Sequence, residues 1–560
     1  MKLFSAPLCG KLCVLCVPFF VSLASAQSAF TPEAVKAAAS DPLLKAMQQE
    51  LDRERELLQL PGLQKPYFIE YRLDDFRTYE ALANYGALTR EEHNHQRIVR
   101  VTVRIGDYKT DSSSTRGDGS LALAPEDNDP EALRYALWTT TDEAYKNALR
   151  AYANKQAALK RFEKPPTEDD FSQSKAAVHL EPTIALQIDE PEWRRRIVDA
   201  SGVFLTDPSL KANASHVQYS TANVRGVVVN RLMVNSEGSV LRSGYGGYNA
   251  SISVGGQADD GMRLARDNGS TAVKASELES AAAFHQRAVR NVKALEELRN
   301  APLADAEDFH GPVLFSGDAA TDVLDRLFVP NVEADRPEMG TTARTVGAYQ
   351  SSFHSRVLPE FMDATDDPRM KTFDGRELLG SYDFDDEGVP AQAVQVVDHG
   401  KLMNYLVSRT PIRDFPASNG HGRAVPGQGA RAHASVLVFK SISPVKPADL
   451  HAKLLAMARE QGRDVYEADT VVSGDLTPRM IYKVHPDGSK QLIRGAVFDE
   501  LDNRSLRSDV VAAGDDEYVK ETLGALPQTT IAPSLLFGDI GVKRATEEQQ
   551  KLPYYAPPAE

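Results

Sequence analysis

The sequence predicts an α+β protein: an α/β N-terminal domain over residues 27–300, then a mainly β domain over 301–560. Three observations carry this. The chain has 560 residues, more than one hydrophobic core usually organises. Residues 276–300 place Leu278, Ala281, Ala288, Val292, Leu295 and Leu298 on one helical stripe, and Ala301-Pro302 breaks it. Beyond the break the pattern turns to short β-rich runs at 313–315, 393–397, 402–407, 434–439, 479–483 and 492–498. Only two helical stretches, 319–328 and 448–461, interrupt them.

The N-terminus begins with an address. Lys2 and Lys11 flank an apolar run over 12–23 that ends in Ala24-Ser25-Ala26. A positive flank, a short apolar stretch and a small-x-small end predict a signal peptide over 1–26, cleaved after Ala26, and an exported protein, periplasmic or secreted. Cys9, Cys13 and Cys16 all lie inside it, so the mature chain has no cysteine for a disulfide or a thiolate ligand. The formal charge of −15, with no basic block, excludes nucleic acid and anionic membrane surfaces as partners.

In the first domain, Asp41-Pro42 opens a helix as side-chain cap and first-turn proline, and Leu60-Pro61-Gly62 stops it. Strands are expected over 67–72 and 97–105, where Val101, Val103 and Ile105 alternate with Thr102 and Arg104. A helix follows over 130–162, ended by Pro165-Pro166. Strand-rich stretches run over 216–234 and 241–254, the second laced with Gly244, Gly246 and Gly247.

Chemistry-bearing motifs are few. No HExxH, HExxxH, G-x-S-x-G or Walker A sequence occurs. His93 and His95 would share one side of a strand, but the polar run 90–96 reads as an exposed loop without a third ligand. Ser172-x-x-Lys175 has the spacing of a Ser-Lys dyad and reads as a solvated loop. The acidic groups are denser: Asp383, Asp385, Asp386 and Glu387 precede Gly388, with Asp363, Asp366, Asp367 and Asp374 upstream. Clustered carboxylates suit a hard cation or an acid/base pair; short acidic side chains also cap a turn ahead of a strand.

The stretch GSYDFDDEGVPAQAVQVVDHGKLMNY at 380–405, closed by SNGHGRA at 418–424, resembles the hallmark region of the TldD/PmbA family. VNSEG at 234–238, LIRGAVF at 492–498 and APSLLFGDIGVKR at 532–544 resemble further family segments in the same order. The helix over 130–162 has no counterpart in that pattern.

The resemblance implies two-subunit peptidases, in which a TldD-type chain bears zinc on HExxxH and a late cysteine, and a PmbA (TldE) chain does not. Here the corresponding stretch is GPVLFSGDAATDVLDRLF, with Phe315, Ser316 and Ala320 at the HExxxH positions. No catalytic residue, metal or cofactor is therefore expected in this chain; helix 319–328, capped by Asp318, reads as packing. The chain is expected to be a non-catalytic, peptide-binding subunit with a TldD-type partner holding the zinc. Asp385, Asp386, Glu387 and Asn419 are its substrate-binding candidates. Two alternatives stand beside this: an active peptidase relocated to the 383–387 carboxylates and a histidine such as His421, or a stand-alone binding or scaffold protein.

Overall fold

The computed structural model describes residues 28–113, 119–162, 167–305 and 307–545; the expected signal peptide lies outside them. Helices α1 (Pro32–Ala38) and α2 (Pro42–Leu57) open the chain. The Asp41 carboxylate accepts from the N–H groups of Leu43 and Leu44 at 3.0 and 3.2 Å, the expected cap.

Strands β1 (Phe68–Asn84) and β2 (Ala87–Arg104) form one long hairpin, turned at Tyr85 (φ 53°) and Gly86 (φ 82°). Two consecutive positive φ values give the turn whose twist matches the strands. The sequence predicts only the two outer pieces of this hairpin. Residues 73–84 and 87–96 are strand as well, and the run around His93 is not a loop. The outer half of β2 is largely exposed and polar on both faces, which erases the alternation that marks a strand.

After β3 (Ser120–Leu123) come α3 (Pro130–Leu159), β4 (Val178–Leu180), α4 (Glu190–Thr206), β5 (Tyr219–Asn235), β6 (Val240–Gln257), β7 (Arg263–Ala272) and α5 (Ala281–Asn300). The helix expected from 276 starts at Ala281, capped by Ser280. The strands form one sheet, ordered β3-β2-β1-β5-β6-β4 with β7 also on β6; β4 alone pairs in parallel. One face is apolar throughout. Ile69, Tyr71 and Leu73 are buried with Val99, Val101 and Val103 beneath α1–α3. Tyr79, Ala81, Val224 and Ile252 are buried beneath α4 and α5. Side chains alternate along a strand, so the intervening Glu70, Arg72 and Asp74 face the opposite way.

The second half begins with β8 (Phe309–Phe315) and α6 (Gly317–Leu327). Next come β9 (Met362–Asp366), β10 (Thr372–Phe373), β11 (Arg376–Glu377), β12 (Val394–Asp398), β13 (Lys401–Leu402), β14 (Gly422–Arg423), β15 (Arg431–Ala432) and β16 (Val436–Ser441). After α7 (Pro447–Gln461) follow β17 (Val465–Val471), β18 (Pro478–Val484), β19 (Lys490–Ile493), β20 (Ala496–Asp499) and α8 (Asn503–Ser508). The last four strands are β21 (Val510–Ala513), β22 (Tyr518–Leu523), β23 (Pro527–Ala532) and β24 (Leu535–Arg544).

They build a six-stranded sheet, β13-β12-β9-β16-β23-β22, and a seven-stranded one, β19-β18-β17-β8-β24-β20 with β21 on β24. The two sheets and α6 share one core that includes Phe315, Val323, Leu324, Phe328, Phe439 and Phe537. Along β8, Val313 and Phe315 enter this core, while Leu314 turns out beneath Leu450 and Leu454 of α7. Among the described residues no helix is long and apolar enough to cross a membrane.

Candidate functional site

The acidic turn closes on the 418–424 loop, and the Asp385 and Glu387 carboxylates are spent on backbone donors. Asp385 Oδ1 accepts from the N–H groups of Glu387 and Val389 at 3.0 and 2.8 Å; its Oδ2 accepts from Gly422 N–H at 2.9 Å. Glu387 Oε2 accepts from Arg409 N–H at 2.6 Å. A Cβ at Gly422 would overlap the Glu387 carboxylate, so only glycine permits this approach. Asn419 ties the same loop to 405–407, accepting from Val407 N–H at 2.9 Å and donating to the Tyr405 carbonyl at 2.8 Å. His421 is fully buried beside Asp366, 3.3 Å from its Oδ1.

Behind the turn lies the polar face of the N-terminal sheet. Asp386 Oδ2 meets Arg231 of β5 at 2.6 Å, Arg423 at 3.0 Å and Ala424 N–H at 2.8 Å. Arg231 also bonds Asp74 Oδ1 at 2.6 Å and donates to the Ala424 carbonyl at 2.8 Å. Arg72 donates to the Gln428 carbonyl, and Asp74 Oδ2 accepts from Gly427 N–H at 3.1 Å. On the other flank, Arg409 donates to the Ser172 carbonyl and reaches Glu237 at 2.7 Å. Its guanidinium lies 4.0 Å from the centre of the Phe171 ring. Three segments that carry the family resemblance, VNSEG, DFDDEG and SNGHGRA, thus converge on one buried seam between the domains.

Electrostatics separate the three carboxyls. Burial works against the Asp386 charge, but the Arg231 and Arg423 guanidinium groups hold its carboxyl well below the usual carboxylate range. Burial, with the nearby Glu387 charge, pushes Asp385 far up. Burial likewise lifts Glu387, to about 7, against the pull of Arg409. A carboxyl raised from its ordinary 4.5 stabilises the fold while it keeps its proton, and that contribution is lost as pH climbs to about 7. Wild-type stability relative to Glu387→Gln should therefore fall by roughly 2 kcal/mol between about pH 5 and about pH 8. Urea unfolding at the two pH values measures it; a pH-independent difference refutes the assignment.

The HExxxH positions lie elsewhere, at the β8–α6 junction. Phe315 ends the strand, fully buried, with the rings of Phe498 and Phe537 centred 5.0 and 5.1 Å away. Ser316 is the N-cap residue, and its hydroxyl donates to the Asp469 carbonyl at 2.7 Å. The cap is thus Ser316 and not Asp318, which sits in the first turn. Ala320 is fully buried against the shared core. The polar side of α6 carries Asp322 and Asp325 around one cation, the ammonium of Lys520.

Two expectations are corrected here. His93 and His95 sit on β2, where their Nε2 atoms pair with Glu190 and Asp75, each at 3.0 Å. Ser172 is buried rather than solvated, and its hydroxyl donates to the Arg409 carbonyl at 3.3 Å; Lys175 is exposed. The segment 172–177, which leads into β4, forms one wall of a cleft of about 380 Å³, faced by Phe384, Val389, Pro390 and Ser418. The acidic turn thus backs a cleft wall, with Asp385, Asp386 and Glu387 themselves behind it. Sequence reading missed Arg231 and Arg409 altogether, because their partners lie more than a domain's length of sequence away.

Residues 310–460 match the family described as the PmbA/TldA metallopeptidase C-terminal domain. No curated protein matches the sequence. A candidate modulator of DNA gyrase from Thermotoga maritima has a similar structure: 17% identity, TM-score 0.60, covering 89% of this chain and 100% of its own. TldE from Thermococcus kodakarensis is 13% identical with a TM-score of 0.59, again over 89% of this chain and 100% of its own. A candidate modulator of DNA gyrase from Bacteroides thetaiotaomicron is 10% identical, with a TM-score of 0.54 over 92% and 99%. The mixed fold with a mostly-sheet C-terminal half is the one predicted. Residues 310–460 thus carry the C-terminal domain of the PmbA/TldA type, and the fold of the chain is the one those solved structures share.

Proposed function

We propose that this chain is the non-catalytic, peptide-binding subunit of an exported metallopeptidase assembly, acting beside a TldD-type chain that holds the zinc. The observation that carries the reading is Phe315. At the position of the first HExxxH histidine it packs in a three-ring aromatic cluster and offers no ligand atom to an ion. TldD and TldE chains of the family work together as a complex, and a TldE has this fold. The cleft between 172–177 and 384–390 is the place for the peptide: one wall is main chain outside any helix or strand, running into the edge strand β4, where backbone bonds would hold a peptide with little regard to sequence. Asp385, Asp386, Glu387 and Asn419 serve it by fixing the opposite wall. Export rests on the leader at 1–26 and suits a cysteine-free mature chain.

The relocated-site reading gains no support, since Asp385, Asp386, Glu387 and His421 are buried and bonded, and Asp383 alone of the turn's carboxylates faces outward. The test is peptide hydrolysis by the purified chain alone, by a TldD-type partner alone and by the mixture. The expected result is no turnover alone, turnover by the mixture above that of the partner, and loss of it when the partner's motif glutamate becomes glutamine. Turnover by this chain alone, or a partner indifferent to it, overturns the proposal.

A further inference from the structure

Asp383 is the carboxylate of the acidic turn that faces outward. Among the described residues its oxygens meet no backbone N–H, only the amine of Lys371 at 2.9 Å on an exposed side chain. Opposite it, at the edge of the N-terminal sheet, β4 presents His179, and Glu181 follows directly; residues two apart on an extended chain project to one side. His179 Nε2 lies 3.3 Å from Glu181 Oε1 and 3.9 Å from Asp383 Oδ2. The three ligand atoms all lie within 4.8 Å of one another.

We propose that His179, Glu181 and Asp383 form a divalent-cation site of zinc type that bridges the two domains at the mouth of the cleft. Ligands on a tetrahedral zinc, with bonds of about 2.0–2.2 Å, stand about 3.4 Å apart, so the spacing needs only a small contraction. One imidazole and two carboxylates neutralise the ion and match its ligand preferences. Phe384 orients the imidazole, its ring centred 4.8 Å from that of His179, and the same Phe384 lines the cleft. All three ligands are half-buried, which shields the ion while leaving a fourth position for water or a group held in the cleft. Glu181 Oε2 is already anchored by Gly244 N–H at 3.3 Å, so Oε1, which faces His179 Nε2, is the arm that would turn to the ion. The group Asp363, Asp398 and His399 is different. His399 N–H and Nδ1 already bond both aspartates across the exposed β12–β13 turn, which makes it a turn lock.

The site uses none of the HExxxH positions and does not depend on the proposed subunit role. The test uses the full chain without partner or peptide: calorimetric titration with Zn²⁺, and visible absorption with Co²⁺ as a reporter of tetrahedral geometry. One ion per chain is expected, with a cobalt d–d band and a raised melting temperature. His179→Ala and Asp383→Asn should each weaken binding by more than about tenfold. His399→Ala should bind as wild type does. Because the two ligand substitutions lie in different domains and Asp383 is partly exposed, melting curves of each variant separate lost binding from lost folding. Absence of the cobalt band, or folded variants that bind like wild type, overturns the site and leaves the peptidase-subunit reading standing.

Discussion

Asp386→Ala is expected to destabilise the protein by about 3–5 kcal/mol, the usual result of removing one partner from a buried ion pair. Asp386 takes contacts from Arg231, Arg423 and the Ala424 N–H through one oxygen. Both arginine side chains are at most 6% exposed, so neither can turn to water when the carboxylate goes. The favourable ion-pair energy disappears while the cost of desolvating two guanidinium groups remains. Asp386→Asn keeps the shape and a carbonyl acceptor for Ala424, and should cost less than the alanine variant. Arg231→Met with Asp386→Ala should show a coupling larger than about 1 kcal/mol, since the two residues touch. Because the pair joins β5 to the acidic turn, the single variant should also loosen one domain from the other. Urea unfolding followed by separate probes of each domain would then resolve two transitions. An Asp386→Ala variant within about 0.5 kcal/mol of wild type would remove the seam from any account of this fold.

Local signals were legible and distant ones were not. Asp41-Pro42 and the apolar stripe of α5 act within a few residues, so the cap stands where the pattern puts it and α5 ends where expected, though it starts five residues later, at Ala281. The DDEG turn was legible as a turn, because Asp385 bonds its own neighbours. That the turn would be buried was not legible, since burial comes from Arg231 and Asp74 on strands far upstream. The same holds for Ser172, which looked solvated until the Arg409 carbonyl and guanidinium closed on it. The outer half of β2 was lost for another reason: pairing there rests on backbone bonds, and its exposed side chains carry no period. The family motifs themselves marked the right segments, yet as sequence they could not say that their polar groups serve a domain seam rather than a ligand.

Phe315→His is the sharper test of the β8–α6 junction, with an expected loss of about 3–4 kcal/mol. The substitution removes part of a ring that packs on Phe498 and Phe537 in a fully buried position. It also buries an imidazole N–H among apolar side chains, which costs about 1–3 kcal/mol without a partner. The loss should deepen in mild acid: the unfolded chain protonates this histidine near pH 6.5, whereas the buried one resists the charge. Phe315→Leu, which adds no polar group, should cost about half as much, roughly 1–2 kcal/mol. Ala320→His forces a ring into the space of a methyl group at a site with no exposed surface, for about 1–3 kcal/mol of overpacking. Rebuilding the whole motif, Phe315→His with Ser316→Glu and Ala320→His, should therefore leave a chain that is marginal or unfolded, with zinc unable to restore it. If zinc instead returns the triple variant to wild-type stability, the junction retains a metal geometry beneath its aromatic packing. Phe315 would then be a plug in a working site rather than part of a core.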